Sequence, residues 1–138
     1  MAQTGDRMER IRALKTAYIT NALELTPGEA QKFWPIYNTY NEKIKQLKFG
    51  ETHSLYLKIK NVGGIDNLSE KEADEIASTL AEIDFKMAKE KQTLYKNLIG
   101  VISSKKIIKL FKAEQGFGKE LLKQYRDKRR GGMINDKE

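Results

Sequence analysis

Apolar residues recur every three or four positions along most of the chain, and this spacing indicates amphipathic helices. In residues 7–25 one such stripe consists of Ile11, Leu14, Tyr18, Ala22 and Leu25. We expect a first helix here that ends near residues 21–24. No segment shows sustained alternation of apolar and polar residues with a period of two, so we expect no β-strand.

The second helix has a strong start signal. Thr26 suits the N-cap, Pro27 occupies the first helical position, and Glu29 completes a capping box. The stripe that follows advances in steps of three and four residues, as in helices packed lengthwise on others, and comprises Ala30, Phe33, Tyr37, Tyr40, Ile44 and Leu47, with Trp34 beside it. We expect this helix to end near Lys60.

Pro35 lies inside this second helix, where a proline removes one backbone hydrogen bond and crowds the carbonyl group of Gln31. Such a position costs roughly 3 kcal/mol in a straight helix. The sequence therefore predicts that the helix bends at Pro35 or begins again just after Trp34.

Two further helices follow the loop-like segment 61–67. Ser69 and Glu72 form a second capping-box pattern, which opens a third helix that ends at Gly100 or just after it. Its stripe comprises Ala73, Ile76, Leu80, Ile83, Met87, Leu94, Leu98 and Val101. Ser103 caps a fourth helix, whose expected buried face comprises Ile107, Leu110, Phe111, Phe117, Leu121, Leu122 and Tyr125.

These four helices, two of them long, predict an all-α fold arranged as a bent antiparallel helical hairpin. The 138 residues favour a single helical domain over residues 1–130, with a disordered tail over 131–138. Gly116 and Gly118 inside the fourth helix indicate either close approach of another helix or a bend, and a bend is the more ordinary explanation.

The net charge of +7 is concentrated near the end of the chain. Residues 103–130 carry ten Lys or Arg and three acidic residues, which accounts for all of it. This charge would speed the capture of another protein by long-range attraction, would neutralise phosphates of a nucleic acid, or would only keep the chain soluble. The candidate contact residues for a bound protein are Lys105, Lys106, Lys109, Lys112, Lys119, Lys123 and Arg126.

Residues that could carry catalysis or hold a metal are sparse. His53 is the only histidine and no cysteine is present, so we expect no metal site and no disulfide. Acidic residues such as Glu72, Glu75 and Glu82 follow the spacing of a solvated helix face rather than that of a catalytic pair. We therefore expect no enzyme activity and no cofactor, and no stretch is apolar enough for a transmembrane helix.

The two helix starts "LTPGEAQKFW" (25–34) and "ISSKKIIKLF" (102–111) share an order of residue types: an apolar residue, a hydroxyl, then a lysine followed by two large apolar residues. With the charged helix between them, they resemble the LTXXQ-motif family of Spy/CpxP-like periplasmic chaperones over about residues 8–126. The similarity is greatest to the branch labelled as a sensor of an extracytoplasmic-function sigma factor. The motif positions are Leu25, Thr26, Pro27, Glu29, Gln31, Trp34, Pro35, Ile102 and Ser103.

The chain departs from the family motif at four positions. Glu29 occupies the place of the motif glutamine, and in the second copy Ile102, Ser103 and Lys106 stand where the family has Leu, Thr and Gln. Thr26 can still cap its helix, and Ser103 can cap as the family's threonine would, since both residue types suit the N-cap.

The resemblance implies an exported, periplasmic protein that forms an antiparallel homodimer shaped as a curved cradle. The start Ala2-Gln3-Thr4 agrees with this, since it is typical of a mature exported chain. The implied function is that of an ATP-independent chaperone or envelope-stress sensor that reversibly binds unfolded or damaged proteins. A regulatory module that binds one membrane-associated partner is the alternative, and a nonspecific nucleic-acid binder comes third, since no base-reading motif is present.

Overall fold

The computed structural model describes residues 2–135, and for residues 2–5, 124–125 and 128–135 it describes the backbone alone. The helices in chain order are α1 (Ala2–Leu23), α2 (Pro27–Lys45), a π-helical segment (Gln46–Thr52), α3 (His53–Asn61), a 3-10 turn (Ile65–Asn67), α4 (Glu70–Leu98) and α5 (Ser104–Asn135). Since α2, the π-helical segment and α3 follow one another without a gap, the described chain consists of four long helical runs and contains no β-strand. The predicted all-α fold is confirmed.

Helix α4 begins at the predicted capping box. The backbone N–H of Glu72 donates to Ser69 Oγ at 3.1 Å, and the backbone N–H of Ser69 donates to Glu72 Oε1 at 3.0 Å. The hydrogen bond from the Ser69 backbone, followed by that with its side chain, lowers the pKa of Glu72 below its ordinary 4.5. The cap therefore stabilises the fold fully above pH 4.5, and this contribution is lost as the pH falls through the lowered pKa.

The start of α5 is also the predicted one. Ser103 accepts a hydrogen bond from the backbone N–H of Lys106 at its Oγ (3.2 Å) and from that of Ile107 at its carbonyl oxygen (3.0 Å). The preceding turn contains Gly100 with φ +83°, a conformation that costs glycine little. Helix α5 runs to Asn135, into the segment expected to be a disordered tail, and residues 136–138 lie outside the described part of the chain.

Pro35 does not interrupt α2, which is helical from Pro27 to Lys45. The prediction of a new helix start after Trp34 is therefore wrong, while a bend at Pro35 stays a prediction. The helical run instead leaves α geometry at Gln46–Thr52, where Thr52 Oγ1 donates to the carbonyl oxygen of Leu47 at 2.8 Å. This run ends at Asn61, next to the residue expected from the sequence.

Contacts divide the described residues into two compact units. The first unit lies within Met1–Gly28 and Ile102–Glu138, where α1 packs along α5, and the second comprises Glu29–Val101. Buried apolar residues of the first unit are Ile19, Leu23, Ile102, Ile107, Leu110 and Ala113. Those of the second are Phe33, Tyr37, Leu47, Ile76, Ile83, Leu94 and Leu98. These contacts do not test whether the two units unfold together, so the single domain over residues 1–130 stays a prediction.

Two expected apolar faces are corrected by the structure. In α1 the fully buried residues are Ile19 and Leu23, one position after the expected Tyr18 and Ala22, while Leu14 is 39% exposed. In α5 Ile107 and Leu110 are buried as expected, but Leu122 is 63% exposed. Both helices are apolar over more than one row of residues, so the row that meets the neighbouring helix becomes the core.

The contact of α1 with α5 explains one of the two glycines in α5. The rings of Tyr18 and Phe117 lie 5.7 Å apart, and Lys15 Nζ lies 3.5 Å from Glu114 Oε2 and 5.9 Å from the centre of the Phe117 ring. A Cβ atom at Gly116 would lie 2.7 Å from the Tyr18 hydroxyl oxygen, whereas at Gly118 nothing lies within 4 Å. Gly116 therefore marks a close approach, the explanation that the sequence favoured less.

The substitutions Gly116→Ala and Gly118→Ala are expected to differ although their chemistry is the same. Gly118→Ala should stabilise the protein by about 0.5–1 kcal/mol, because alanine is the better helix former and meets open space. Gly116→Ala should not stabilise the protein in this way, because its methyl group displaces the Tyr18 ring from Phe117. Urea unfolding followed by circular dichroism measures both, and equal stabilisation by the two substitutions would contradict the close approach.

Candidate functional site

The side of α5 that faces away from α1 carries most of the candidate basic residues. Because 3.6 residues complete a helical turn, positions seven apart lie nearly above one another. Lys105, Lys112, Lys119 and Arg126 are seven residues apart and all exposed. Lys109 and Lys123, also exposed, lie one row farther round the helix.

Lys106 differs from the other six candidates. Its side chain is partly buried, and its Nζ donates to the backbone carbonyl oxygen of Glu24 at 3.1 Å, just after the end of α1. Glu24 has φ +50°, which is uncommon for a residue other than glycine. Lys106 thus ties the end of α1 to the start of α5, and its charge compensates a carbonyl group left without a helical partner.

Exposed apolar side chains lie beside the basic row. Ile108 is 67% exposed and Leu122 is 63% exposed, and they are fourteen residues apart, on one side of the helix with exposed Gln115 between them. We call the surface of Lys105, Ile108, Lys112, Gln115, Lys119, Leu122 and Arg126 the α5 outer face. It can attract acidic groups by charge and contact apolar groups at two points along the same helix.

Sequence reasoning found the basic residues of this face and missed its apolar ones. The sequence predicts Leu122 in the core and makes no prediction for Ile108, whereas both side chains are mostly exposed. The seven-residue spacing shared by the basic residues and by Ile108, Gln115 and Leu122 was the signal that could have identified them. Burial could not be read from this spacing alone, since the opposite side of α5 is also apolar.

The second unit exposes further large apolar side chains. Phe49, in the π-helical segment, is 72% exposed, and Phe85, in α4, is 69% exposed. Tyr56 and Ile65 are exposed as well. Single exposed apolar residues are common on protein surfaces, and these four are available for contact with another protein.

A groove of about 280 Å³ lies between α2 and α4 in the second unit. Its apolar wall contains Pro35, Ile36 and Leu94, and at its edge Lys43 Nζ lies 3.7 Å from Glu90 Oε2. The groove is open to solvent and its two charged groups already pair with each other. Its remaining polar lining comes from Thr39, Tyr40, Thr93 and Asn97.

The residues of the helix-start motif have structural positions. Ile102 is buried, Leu25, Glu29 and Trp34 are partly buried, and Thr26, Pro27, Gln31, Pro35 and Ser103 are exposed. Trp34 packs edge-on against Phe33, with ring centres 4.9 Å apart. The motif residues thus lie at helix starts and in core contacts, and none of them belongs to the α5 outer face.

Residues able to hold a metal ion are scattered. His53 is exposed at the start of α3. Within the part of the chain that the structure describes, no group of three or more His, Cys, Asp or Glu side chains is placed to share an ion. None of the helices described is both long and apolar enough to cross a membrane.

No protein-family model, no curated protein and no solved structure matches this chain.

Proposed function

We propose that this protein is an ATP-independent chaperone or envelope-stress sensor that reversibly binds unfolded or damaged proteins, in the manner of the Spy/CpxP-like family that its helix starts resemble. The observation that supports this most directly is the α5 outer face, where a basic row lies beside exposed Ile108 and Leu122. In this mechanism charge speeds the encounter with a client, and the apolar groups hold it loosely enough for release.

The exposed aromatic residues of the second unit fit the same function. Phe49 and Phe85 can contact apolar side chains that an unfolded client exposes, without a deep pocket that would select one sequence. Binding and release then need no cofactor and no hydrolysis. The proposal further includes an antiparallel homodimer in the form of a cradle and a periplasmic location, both taken from the family resemblance.

Light scattering of a chemically denatured client, with the protein at stoichiometric amounts, tests the proposal. The wild type is expected to suppress aggregation, and more strongly at low salt because the attraction is electrostatic. The double substitution Ile108→Ala and Leu122→Ala should reduce suppression at least about threefold, since burying each side chain contributes on the order of 1 kcal/mol. Both residues are exposed, so the fold should be unaffected.

The matched control is the double substitution Met8→Ala and Leu14→Ala. These apolar residues of α1 are 55% and 39% exposed and lie outside the α5 outer face. The control should retain wild-type suppression. A wild type that leaves client aggregation unchanged at low salt would refute the chaperone proposal.

A regulatory module with one membrane-associated partner remains the second candidate, favoured by the regular spacing of charged residues along α5. Pull-down with stringent washing separates the two, because a specific partner is retained while a chaperone releases a mixed population. Nonspecific nucleic-acid binding predicts instead a steep fall of DNA affinity with added salt.

A further inference from the structure

The apolar row of the α5 outer face continues, with two neighbouring residues, into the spacing of a coiled-coil seam. Ile108, Phe111, Gln115, Gly118 and Leu122 follow one another in steps of three and four residues, the spacing of a and d positions in heptads. Phe111 is partly buried and the other four are exposed. We call these five residues the α5 seam. In the described structure it lies at the solvent side of α5, while Ile107, Leu110 and Ala113 form the buried side.

One flank of the α5 seam carries only positive charge. With Ile108 at an a position, the e positions of four successive heptads are Lys105, Lys112, Lys119 and Arg126. All four are exposed, and none forms an ion pair with another of the described side chains. The flank is thus a regular row of cations whose charge the described chain does not compensate.

Helix α1 covers the other flank of the α5 seam. The g positions on this flank include Ile107, which is buried, and Glu114, whose carboxylate lies 3.5 Å from Lys15 Nζ of α1. A helix lying on the α5 seam would therefore meet one basic row. Salt bridges at e and g positions determine which helices pair, so the matching row on the partner must be acidic.

We propose that the α5 seam docks an acidic amphipathic helix of a partner protein lengthwise, with its apolar residues on Ile108, Phe111 and Leu122 and its carboxylates on the basic row. The inference rests on the proposed function in that it assigns protein binding to the α5 outer face. It adds the class of the bound segment: a helix, or a client segment that becomes helical on binding, rather than any exposed apolar chain.

Two residues inside the α5 seam give it geometric specificity. Gln115 places a polar group at an a position, where such a group can define the register of a helix pair. Gly118, at a d position, has nothing within 4 Å of where its Cβ would be, so the backbone of a partner helix can come close there. A surface that bound its partner by charge alone would need neither the polar residue nor the glycine.

Other occupants fit the α5 seam less well. An antiparallel second copy of α5 would place two basic rows opposite one another, which is repulsive. A parallel copy would place each basic row opposite buried Ile107 and opposite Glu114, whose carboxylate already lies beside Lys15. Insertion into an anionic membrane needs a broad apolar face, whereas here only Ile108 and Leu122 are large, apolar and mostly exposed.

The test uses the full chain and two synthetic peptides of identical composition. One peptide has leucine at a and d and glutamate at e and g, and the other has the same residues scrambled so that no amphipathic helix forms. Fluorescence anisotropy near 0.15 M salt gives the affinities, and circular dichroism reports the helix content of the bound peptide. We expect the amphipathic peptide to bind at least about tenfold more tightly than the scrambled one and to gain helix content.

The variant Lys112→Glu with Lys119→Glu should weaken binding of the amphipathic peptide about tenfold, because two attractive pairs become repulsive. The matched control is Lys89→Glu with Lys96→Glu, two exposed lysines of α4 with the same spacing and the same change in net charge. It should change the affinity less than about twofold, since exposed charges away from the interface are screened.

Equal binding of both peptides, or equal loss in the variant and its control, would overturn the inference. So would tighter binding to anionic lipid vesicles or to duplex DNA than to the amphipathic peptide. Peptide binding with no suppression of client aggregation would support the docking inference and refute the chaperone proposal. Suppression of client aggregation with equal binding of both peptides would support the chaperone proposal and refute the docking inference.

Discussion

The substitution Phe33→Ala is expected to lower the free energy of unfolding by about 3–5 kcal/mol, the cost of truncating a phenylalanine in a packed core. Phe33 has no exposed surface. Its ring stacks on that of Tyr37 with centres 5.5 Å apart and meets Trp34 edge-on at 4.9 Å. Alanine removes both ring contacts and leaves a cavity that rigid helices fill only in part.

Urea unfolding measures this effect with two signals. Circular dichroism reports the helices as a whole, and Trp34, the one tryptophan of the sequence, gives fluorescence from beside the substituted residue. The control is Phe85→Ala, since Phe85 is 69% exposed in α4 and its truncation should change stability by less than about 0.5 kcal/mol. A loss below about 1 kcal/mol for Phe33→Ala would show that its ring is not part of the core.

The substitution Leu110→Ala is expected to destabilise the protein by about 2–5 kcal/mol. Leu110 has no exposed surface and lies on the side of α5 that holds the buried residues Ile107 and Ala113. Truncation removes three carbon atoms from the core of the first unit, so the loss combines the transfer of apolar groups with a cavity. Circular dichroism during urea unfolding measures it.

Ile108→Ala provides the matched control, because it deletes the same number of atoms two residues away on the same helix. Ile108 is 67% exposed, so its truncation should change stability by less than about 0.5 kcal/mol. The same substitution should still weaken binding at the α5 outer face. Similar losses of stability for Leu110→Ala and Ile108→Ala would mean that the assignment of buried and exposed sides in α5 is wrong.

Helix starts could be predicted from the sequence because a cap is formed by residues within one turn of each other. Ser69 with Glu72, and Ser103 with the backbone N–H of Lys106, form hydrogen bonds over three residues. Such contacts depend little on the rest of the fold. The strong signal at Pro27 likewise gave the correct first residue of α2.

Pro35 shows where local reasoning was incomplete. Proline opposes a helix at that position, yet α2 continues through it. The neighbouring Phe33 and Tyr37 are buried, and burial of two large side chains contributes on the order of 3 kcal/mol or more, which offsets the lost hydrogen bond. The π-helical segment at Gln46–Thr52 had no comparable sequence signal.

The sequence predicted the charged residues of the candidate site but not its exposed apolar residues. Six of the seven basic candidates are exposed, because lysine and arginine stay in water unless they are paired. Lys106 is the exception, since it bonds to Glu24, a residue eighty-two positions earlier in the chain. No local pattern could indicate this partner.

The sequence by itself determined the fold class, the starts of α2, α4 and α5 and the concentration of positive charge in the last helix, all of which depend on residue type and on neighbours within a few positions. Only the tertiary structure decided which row of each helix is buried. An amphipathic helix with two apolar rows buries the one that meets another helix, and that choice depends on residues far away in the chain. It made Ile19 and Leu110 core residues and left Ile108 and Leu122 on the surface, where the proposed binding takes place.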